Sequence, residues 1–415
     1  SVAQFTSDVT RYAGEAEDYA KKAGFLRINR CKKGCEGTGL VGLPPNLKTC
    51  TWCNGEDDDV AQANGRYKFR GKKPFKRSQY KTRLQQWVQH AYAGVDVPRT
   101  PPSTKYPQGQ VRTKGEDLLG SGVPALVEYA ERKVYEKYLT TYVPILQKAQ
   151  HTALTSRPNV LVRSGRTSWS KPNLQNPPQK GGFRECFVPR PGQVFASIDY
   201  SSLEMATLAQ VCIHFFGYSK LGDVINEGLD PHAWFAALMT GTDYDVFNEY
   251  RAGKHGPEKK EWADTKRQNA KIANFGLPGG LGVNTLITYA KGFGVDLTPN
   301  EADDLVWAWK DAFPEVREYF KMLSDASQHG DFTIKQITSN RIRGGCHYTS
   351  GCNSYFQGLA ADGAKAAMWE MGKACYLKGY NDKMYGCHMW AFIHDEFLFE
   401  GPADRAHVWA VEAER

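Results

Sequence analysis

Two apolar segments, far apart in the chain, each break off at acidic residues. Residues 194–199 read VFASID and residues 390–399 read WAFIHDEFLF, with His394, Asp395 and Glu396 in the middle of the second. Aromatic and branched side chains at this density mark strands packed in an interior. An ionised carboxylate left alone in such surroundings is expensive, so each acid must be paired, hydrogen-bonded or bound to a cation. A single acidic interruption usually means a turn or an exposed edge. Two of them, bracketing a long helical block, are satisfied together if the second segment, a strand or hairpin, brings Asp395 against Asp199 and the two share one or two divalent cations.

The stretch between the two segments has helical spacing. A helix carrying Glu204 follows Asp199, and the pattern is helical from about Asp230 to His329, ending in the turn-rich TSNRIRGGCHYTSGC. Within TKRQNAKIANFGLPGG, Arg267, Lys271 and Phe275 recur every four residues and share one helix face. Two cations and a ring on one face match a triphosphate with its stacked nucleoside; a solvated basic stripe with Phe275 turned into the core has the same spacing. Pro278, followed by Gly279, ends or bends that helix. Further upstream, Leu84–Tyr92 and Val123–Ala149 read as helices separated by the Pro/Gly-rich GVDVPRTPPSTKYPQGQ, and after Thr155 the chain turns to short apolar runs such as NVLVRSG. The result is an α+β chain in which strand material encloses helices.

Its 415 residues suffice for two or three packed units, and the formal net charge of +8 favours a long polyanion as partner. RYKFRGKKPFKRSQYK, residues 66–81, interleaves cations with rings, as a nucleic-acid contact or a solvated loop would. Four of the ten cysteines form two close pairs, Cys31 with Cys35 and Cys50 with Cys53. That spacing predicts a structural tetrahedral Zn²⁺ site, with two disulfides as the alternative. The scattered remaining cysteines and the absence of a secretory leader pattern favour a reducing compartment, hence a cytoplasmic location and no membrane. The chain starts without Met and stops within a helical pattern, so a longer product is expected.

Read in order, DYSSLE, RQNAKIANFG and HDE, together with GRTSWSKPNLQNPP and NSYFQGLAAD, resemble the motifs of the family A DNA polymerases, the group of bacterial DNA polymerase I and many phage replicative enzymes. The resemblance runs from about Gly165 to Glu396 and fades through the helical region upstream; the cysteine cluster has no counterpart in it. It implies a right-hand polymerase fold, with an antiparallel palm sheet, helical fingers and thumb, and a small zinc-binding insertion. Residues 1–154 would be thumb-like, with the zinc knuckle at about 31–53. Residues 155–229 would be the first part of the palm, 230–331 the fingers and 332–415 the second part of the palm, whose final elements are expected beyond the sequence. No room is left for a proofreading domain, which would lie on another segment.

The resemblance also implies template-directed DNA synthesis in replication, by two-metal nucleotidyl transfer from deoxynucleoside triphosphates to a primer 3′-hydroxyl. Asp199, Asp395 and the Tyr200 carbonyl would hold two Mg²⁺ ions. Arg267, Lys271 and His232 would hold the triphosphate, with Lys271 also the acid for pyrophosphate; Phe275 would lie by the sugar and base, and Glu204 would exclude a ribose 2′-hydroxyl. Arg166, Asn173, Gln175, Asn353, Gln357, His394 and Glu396 would contact primer–template DNA. A phage-encoded monomer working with replication accessory proteins in a bacterial cytoplasm fits this picture. Gly279 departs from the family pattern, which has a Tyr there that pairs with the gate Glu; Ser202 and Ala206 depart from its usual Gln and Arg. A single-subunit RNA polymerase and a non-catalytic DNA-binding descendant are the rival readings: Glu204 speaks against the first, the retained aspartates and Arg/Lys pair against the second.

Overall fold

The computed structural model describes residues 2–22, 26–27, 40–41, 48–49, 78–79, 81–92, 97–100, 104–178 and 182–414. The chain divides into two compact units, residues 1–154 with 178–186 and residues 155–177 with 187–415.

The first unit contains α1 (Val2–Lys22), α2 (Lys81–Ala91), α3 (Gly115–Leu119), α4 (Pro124–Lys137) and α5 (Val143–Ala149). Leu84 and Val88, one turn apart on α2, are fully buried and pack with Leu118, Leu126 and Tyr129. The single helix expected over 123–149 is interrupted by a π-helical turn, Tyr138–Tyr142, just before Pro144. The wider turn accommodates a ring that supplies no N–H and would otherwise crowd the preceding carbonyl. The interruption also places Tyr138 against Phe5 and Tyr142 against Phe183, with ring centroids 6.0 Å and 4.9 Å apart. Leu26–Arg27 pairs antiparallel with Ser78–Gln79, and Leu40–Val41 with Lys48–Thr49. Cys31, Cys35, Cys50 and Cys53, and residues 66–77 of the basic stretch, lie outside the described residues.

The second unit opens with a short antiparallel pair, β1 (Arg157–Asn159) and β2 (Ser168–Ser170). The apolar run that follows β1 is not core: Val160 and Leu161 are 54% and 88% exposed. Next come β3 (Gln193–Asp199), α6 (Leu203–Phe216), α7 (Lys220–Asn226), α8 (Pro231–Met239), α9 (Tyr244–Arg251) and α10 (Pro257–Gly276). They are followed by α11 (Val283–Lys291), α12 (Pro299–Ala312), α13 (Glu315–Ser327), the β4 (Phe332–Lys335) and β5 (Ile342–Cys346) pair, and α14 (Tyr348–Tyr376). The unit closes with β6 (His388–Ile393), β7 (Glu396–Pro402) and α15 (Ala406–Glu414).

The three-stranded sheet has the order β6-β7-β3, antiparallel throughout. Strand periodicity sends Phe397, Phe399, Ala196 and Ile198 to one face, where they pack on Ala364, Ala374 and Cys375 of α14 and on Trp409 of α15. A separate core joins the α6–α13 helices around Trp309, Phe313, Tyr319 and the Ala270–Ile272–Ala273 side of α10. Some helices start at side-chain caps: Asp230 accepts from the N–H groups of His232 and Ala233 at the head of α8, and Thr298 and Glu301 form a capping box on α12. Among the described residues no helix is long and apolar enough to cross a membrane.

Candidate active site

Asp199 is the last residue of β3, and its ladder partner on β7 is Glu396. Asp395 is one residue earlier, in the two-residue turn between β6 and β7, and its carbonyl accepts from Tyr200 N–H at 3.4 Å. The expectation of acids enclosed in strand is therefore corrected. Asp199 and His394 are exposed and Asp395 and Glu396 half-buried, because the strands stop at these positions and present the acids at the sheet end. Glu396 also accepts from the Ser197 hydroxyl. Two non-glycine residues beside the acids hold left-handed backbone, His394 at φ 60 and Ser202 at φ 53. Such conformations cost about 1–3 kcal/mol each and concentrate at functional sites.

Partial burial, and then the negative charges of Asp395 and Glu396, push the Asp199 carboxyl above its ordinary 3.8, against the opposing hydrogen bond from Tyr200 N–H. Among the described residues no three His, Cys, Asp or Glu side chains gather as a complete ligand set. Mg²⁺ is commonly held by one or two carboxylates with substrate phosphates and water, so a pair of aspartates fits that ion without a third protein carboxylate. The raised Asp199 value has a sign that can be checked. Above both folded and unfolded values the folded protein bears the cost of the charge, and this cost disappears below the unfolded value. Asp199→Asn is therefore expected to raise the melting temperature of metal-free protein at pH 7 and to lose that advantage near pH 3; equal melting of the two proteins at pH 7 would refute the repulsion.

On α10, the exposed side carries Arg267, Lys271 and Phe275, while Ala270, Ile272, Ala273 and Asn274 are buried. Arg267 binds Asp230 through Nε at 2.8 Å and Nη2 at 2.7 Å, and Arg251 reaches the same carboxylate at 3.6 Å. Lys271 Nζ stands 5.8 Å from the centre of the Phe275 ring, itself 41% exposed. His232 is buried, with its ring centroid 5.2 Å from that of Phe275. Burial lowers its imidazole to about 4, aided by Arg267, Lys271 and Arg251 and opposed by Asp230, so it is neutral at neutral pH. Its Nδ1 lies 2.9 Å from the Asn274 amide nitrogen, which makes Nδ1 the acceptor and leaves the proton on Nε2.

Sequence reading missed Asp230 and Asn274. The first was visible as an N-cap directly before Pro231. The second was visible as an amide among the buried alanines of α10, where its Oδ1 accepts from Trp309 Nε1 at 2.8 Å.

α10 ends at Gly276 and passes into a 3-10 turn, Leu277–Gly279. Asn353, on α14, donates to the Gly279 carbonyl at 3.4 Å, and Gln357, one turn later, donates to Asn353 Oδ1 at 3.3 Å. A Cβ at position 279 would lie 2.9 Å from the Asn353 amide nitrogen. Arg166 follows a turn at Gly165 and meets the Glu204 carboxylate on α6. Arg166, Gln175, Glu204, Lys365, His394 and Asp395 are among the residues lining a cavity of about 210 Å³. Asn173 Oδ1 accepts from Gln175 N–H at 3.0 Å. Gln175 itself is buried, its amide donating to the Thr167 carbonyl at 3.2 Å and accepting from Trp169 Nε1 at 2.9 Å, so it supports this loop from within.

An acidic sheet end, a cationic helix face on α10 and the Asn353–Gln357 amide pair on α14 thus lie in one unit of the chain. The model of DNA polymerase family A matches residues 104–414, and the chain belongs to this family. It is 27% identical to DNA polymerase I of Caldicellulosiruptor bescii over 305 residues, 69% of this chain and 32% of that protein. It is 29% identical to DNA polymerase I of Lactococcus lactis over 309 residues, 70% of this chain and 32% of that protein. The chain thus spans about a third of the length of these relatives. Among solved structures, the POL domain of Pol1 from M. smegmatis, in complex with DNA primer-template and dNTP, shares its fold with a TM-score of 0.65 at 19% identity, covering 100% of this chain and 62% of that one.

Proposed function

We propose that the chain is the polymerase region of a DNA-directed DNA polymerase that extends a primer strand with deoxynucleotides. The observation that carries this reading is the pairing of the β3 and β7 ends, which brings Asp199 beside Asp395 and Glu396 in a family whose relatives are named as DNA polymerases. Residues 1–154 would serve as thumb, 155–229 and 332–415 as palm, and 230–331 as fingers. Asp199, Asp395 and the Tyr200 carbonyl would hold two Mg²⁺ ions, which when bound neutralise charge on the attacking and leaving oxygens.

The protein's own groups then divide the work. Arg267 exchanges Asp230 for phosphate oxygens, and Asp230 keeps its guanidinium oriented while no nucleotide is present. Lys271 neutralises the triphosphate and donates a proton to the departing pyrophosphate oxygen. His232, neutral and protonated on Nε2, gives a hydrogen bond without adding charge. Phe275 borders the sugar and base, and Glu204 occupies the volume a 2′-hydroxyl needs. Asn353 and Gln357 address minor-groove acceptors, which vary little between base pairs and so report pair geometry; Asn173, His394, Glu396 and Arg166 stand near the primer end. Primer–template DNA, deoxynucleoside triphosphates and replication accessory proteins are the partners on this reading. For Cys31, Cys35, Cys50 and Cys53, the spacing supports structural Zn²⁺.

Primer extension with Mg²⁺, on DNA and RNA templates and with deoxy- or ribonucleotides, tests the reading. Deoxynucleotide incorporation on the DNA template is expected. Equal use of both sugars would assign an RNA polymerase instead, and tight DNA binding without any extension would leave a non-catalytic descendant.

A further inference from the structure

We infer that Arg166 sets the carboxylate of Glu204, so that discrimination between deoxyribose and ribose depends on an ion pair anchored through Arg341. The inference rests on the polymerase reading above and names the support of its sugar gate. Position 279, where the resemblance implies a Tyr that pairs with the gate, is Gly, and the Asn353 amide occupies the space a side chain there would enter. No ring from that turn reaches Glu204. Its carboxylate instead meets Arg166, which comes from a different segment of the chain.

Arg166 is in turn held from below. Arg341, in the β4–β5 connection, joins that connection to two other segments: its Nε binds Asp362 of α14 at 3.1 Å, and its Nη2 donates to the Gly358 carbonyl, also on α14, at 3.3 Å and to the Ser164 carbonyl at 3.4 Å. The Ser164–Gly165 turn sits directly on this guanidinium. Gly165 is at φ 89, and a Cβ there would be 2.2 Å from Arg341 Nη2, so the backbone can approach this closely only as glycine. Ser339 donates to the same Asp362 carboxylate and accepts from Arg341 N–H at 3.3 Å, which fixes the base of the clamp. The Arg341–Asp362 pair is well covered, with side-chain exposures of 27% and 12%, whereas Arg166 and Glu204 are 48% and 25% exposed.

The burial contrast decides what each pair does. The open Arg166–Glu204 pair adds little to stability but selects one orientation for a carboxylate that otherwise has several rotamers. A guanidinium has five donors, so Arg166 can hold Glu204 with one edge and offer the other to minor-groove acceptors at the primer end. Sugar choice and primer-end geometry would then be read by one residue.

The test compares kcat/KM for a deoxynucleotide with that for its ribonucleotide in wild type, Glu204→Ala, Arg166→Ala, Arg166→Lys, Arg341→Ala and the Arg166→Ala/Glu204→Ala double variant. Arg166→Ala is expected to reduce the ratio about tenfold or more, the loss of one charge-assisted contact at the gate. The double variant should match Glu204→Ala alone, since the two residues act as one unit. Arg166→Lys should retain part of the ratio, Arg341→Ala should lower it with Arg166 still present, and Arg166→Ala should melt like wild type. An Arg166→Ala enzyme that keeps the full ratio while Glu204→Ala loses it overturns the inference alone. A Glu204→Ala enzyme with the wild-type ratio, or a wild type that extends no primer, overturns it by removing the reading beneath it.

Discussion

Asp395→Asn protein is expected to extend primers about a thousandfold or more slowly than wild type while binding primer–template DNA with unchanged affinity, a loss equivalent to several kcal/mol of transition-state stabilisation. The substitution keeps the size of the side chain and its place in the β6–β7 turn but removes the charge. Asp395 is half-buried in a two-residue turn whose carbonyl bonds to Tyr200 N–H, so an amide fits without disturbing the strands. What changes is the donor set: on the proposed reading Asp199 and Asp395 are the two ligand carboxylates, and neutralising Asp395 leaves Asp199 as the only one of that pair. A single carboxylate is a poor host for a pair of divalent ions. Single-turnover extension and an equilibrium DNA-binding titration separate the two quantities, and substantial extension by this variant would refute a ligand role for Asp395.

Asn274→Leu is expected to destabilise the second unit by about 3 kcal/mol, through buried polar groups left without partners. Asn274 is 1% exposed and ties its own helix α10 to two others: α12 through Trp309 Nε1, and α8 through the Pro231 carbonyl and His232 Nδ1. Leucine has nearly the same bulk, so packing is conserved while the fully buried Trp309 donor loses its acceptor. The accompanying Trp309→Phe change should recover part of the loss, because removing both partners costs less than orphaning one. Urea denaturation of the single and double variants measures this; an unchanged midpoint in Asn274→Leu would show that the amide bonds are not holding α8, α10 and α12 in register.

The contrast between Phe275 and Asn274 shows what the sequence made legible. A four-residue period places Arg267, Lys271 and Phe275 on one helix face, and the structure has all three on the open side of α10. Period alone assigns a face and not a partner. It could not report that Asp230 already occupies Arg267, or that Asn274 on the opposite side joins three helices. The strand acids were legible for a similar reason: carboxylates inside apolar runs are costly and therefore conspicuous. A strand or a hairpin both fitted the second segment, and the structure has the hairpin; the exposure of the acids was not legible, because it depends on where the two-residue turn falls. Gln175 resembles a groove-reading amide by motif, yet its burial against Thr167 and Trp169 depends on a loop fold that no local pattern encodes.

The neighbouring strands β3 and β7 are separated along the chain by residues 200–395, nearly all of the helical block. During synthesis this has a plain consequence. Contacts between segments so distant form late, after the intervening loop entropy has been overcome. A nascent chain halted between Asp362 and Glu396 has made every residue of the cationic helix and of the Arg341 clamp, but not the edge on which β3 must align. Products truncated in that interval therefore carry the cationic face of α10 without the strand that completes the acidic end.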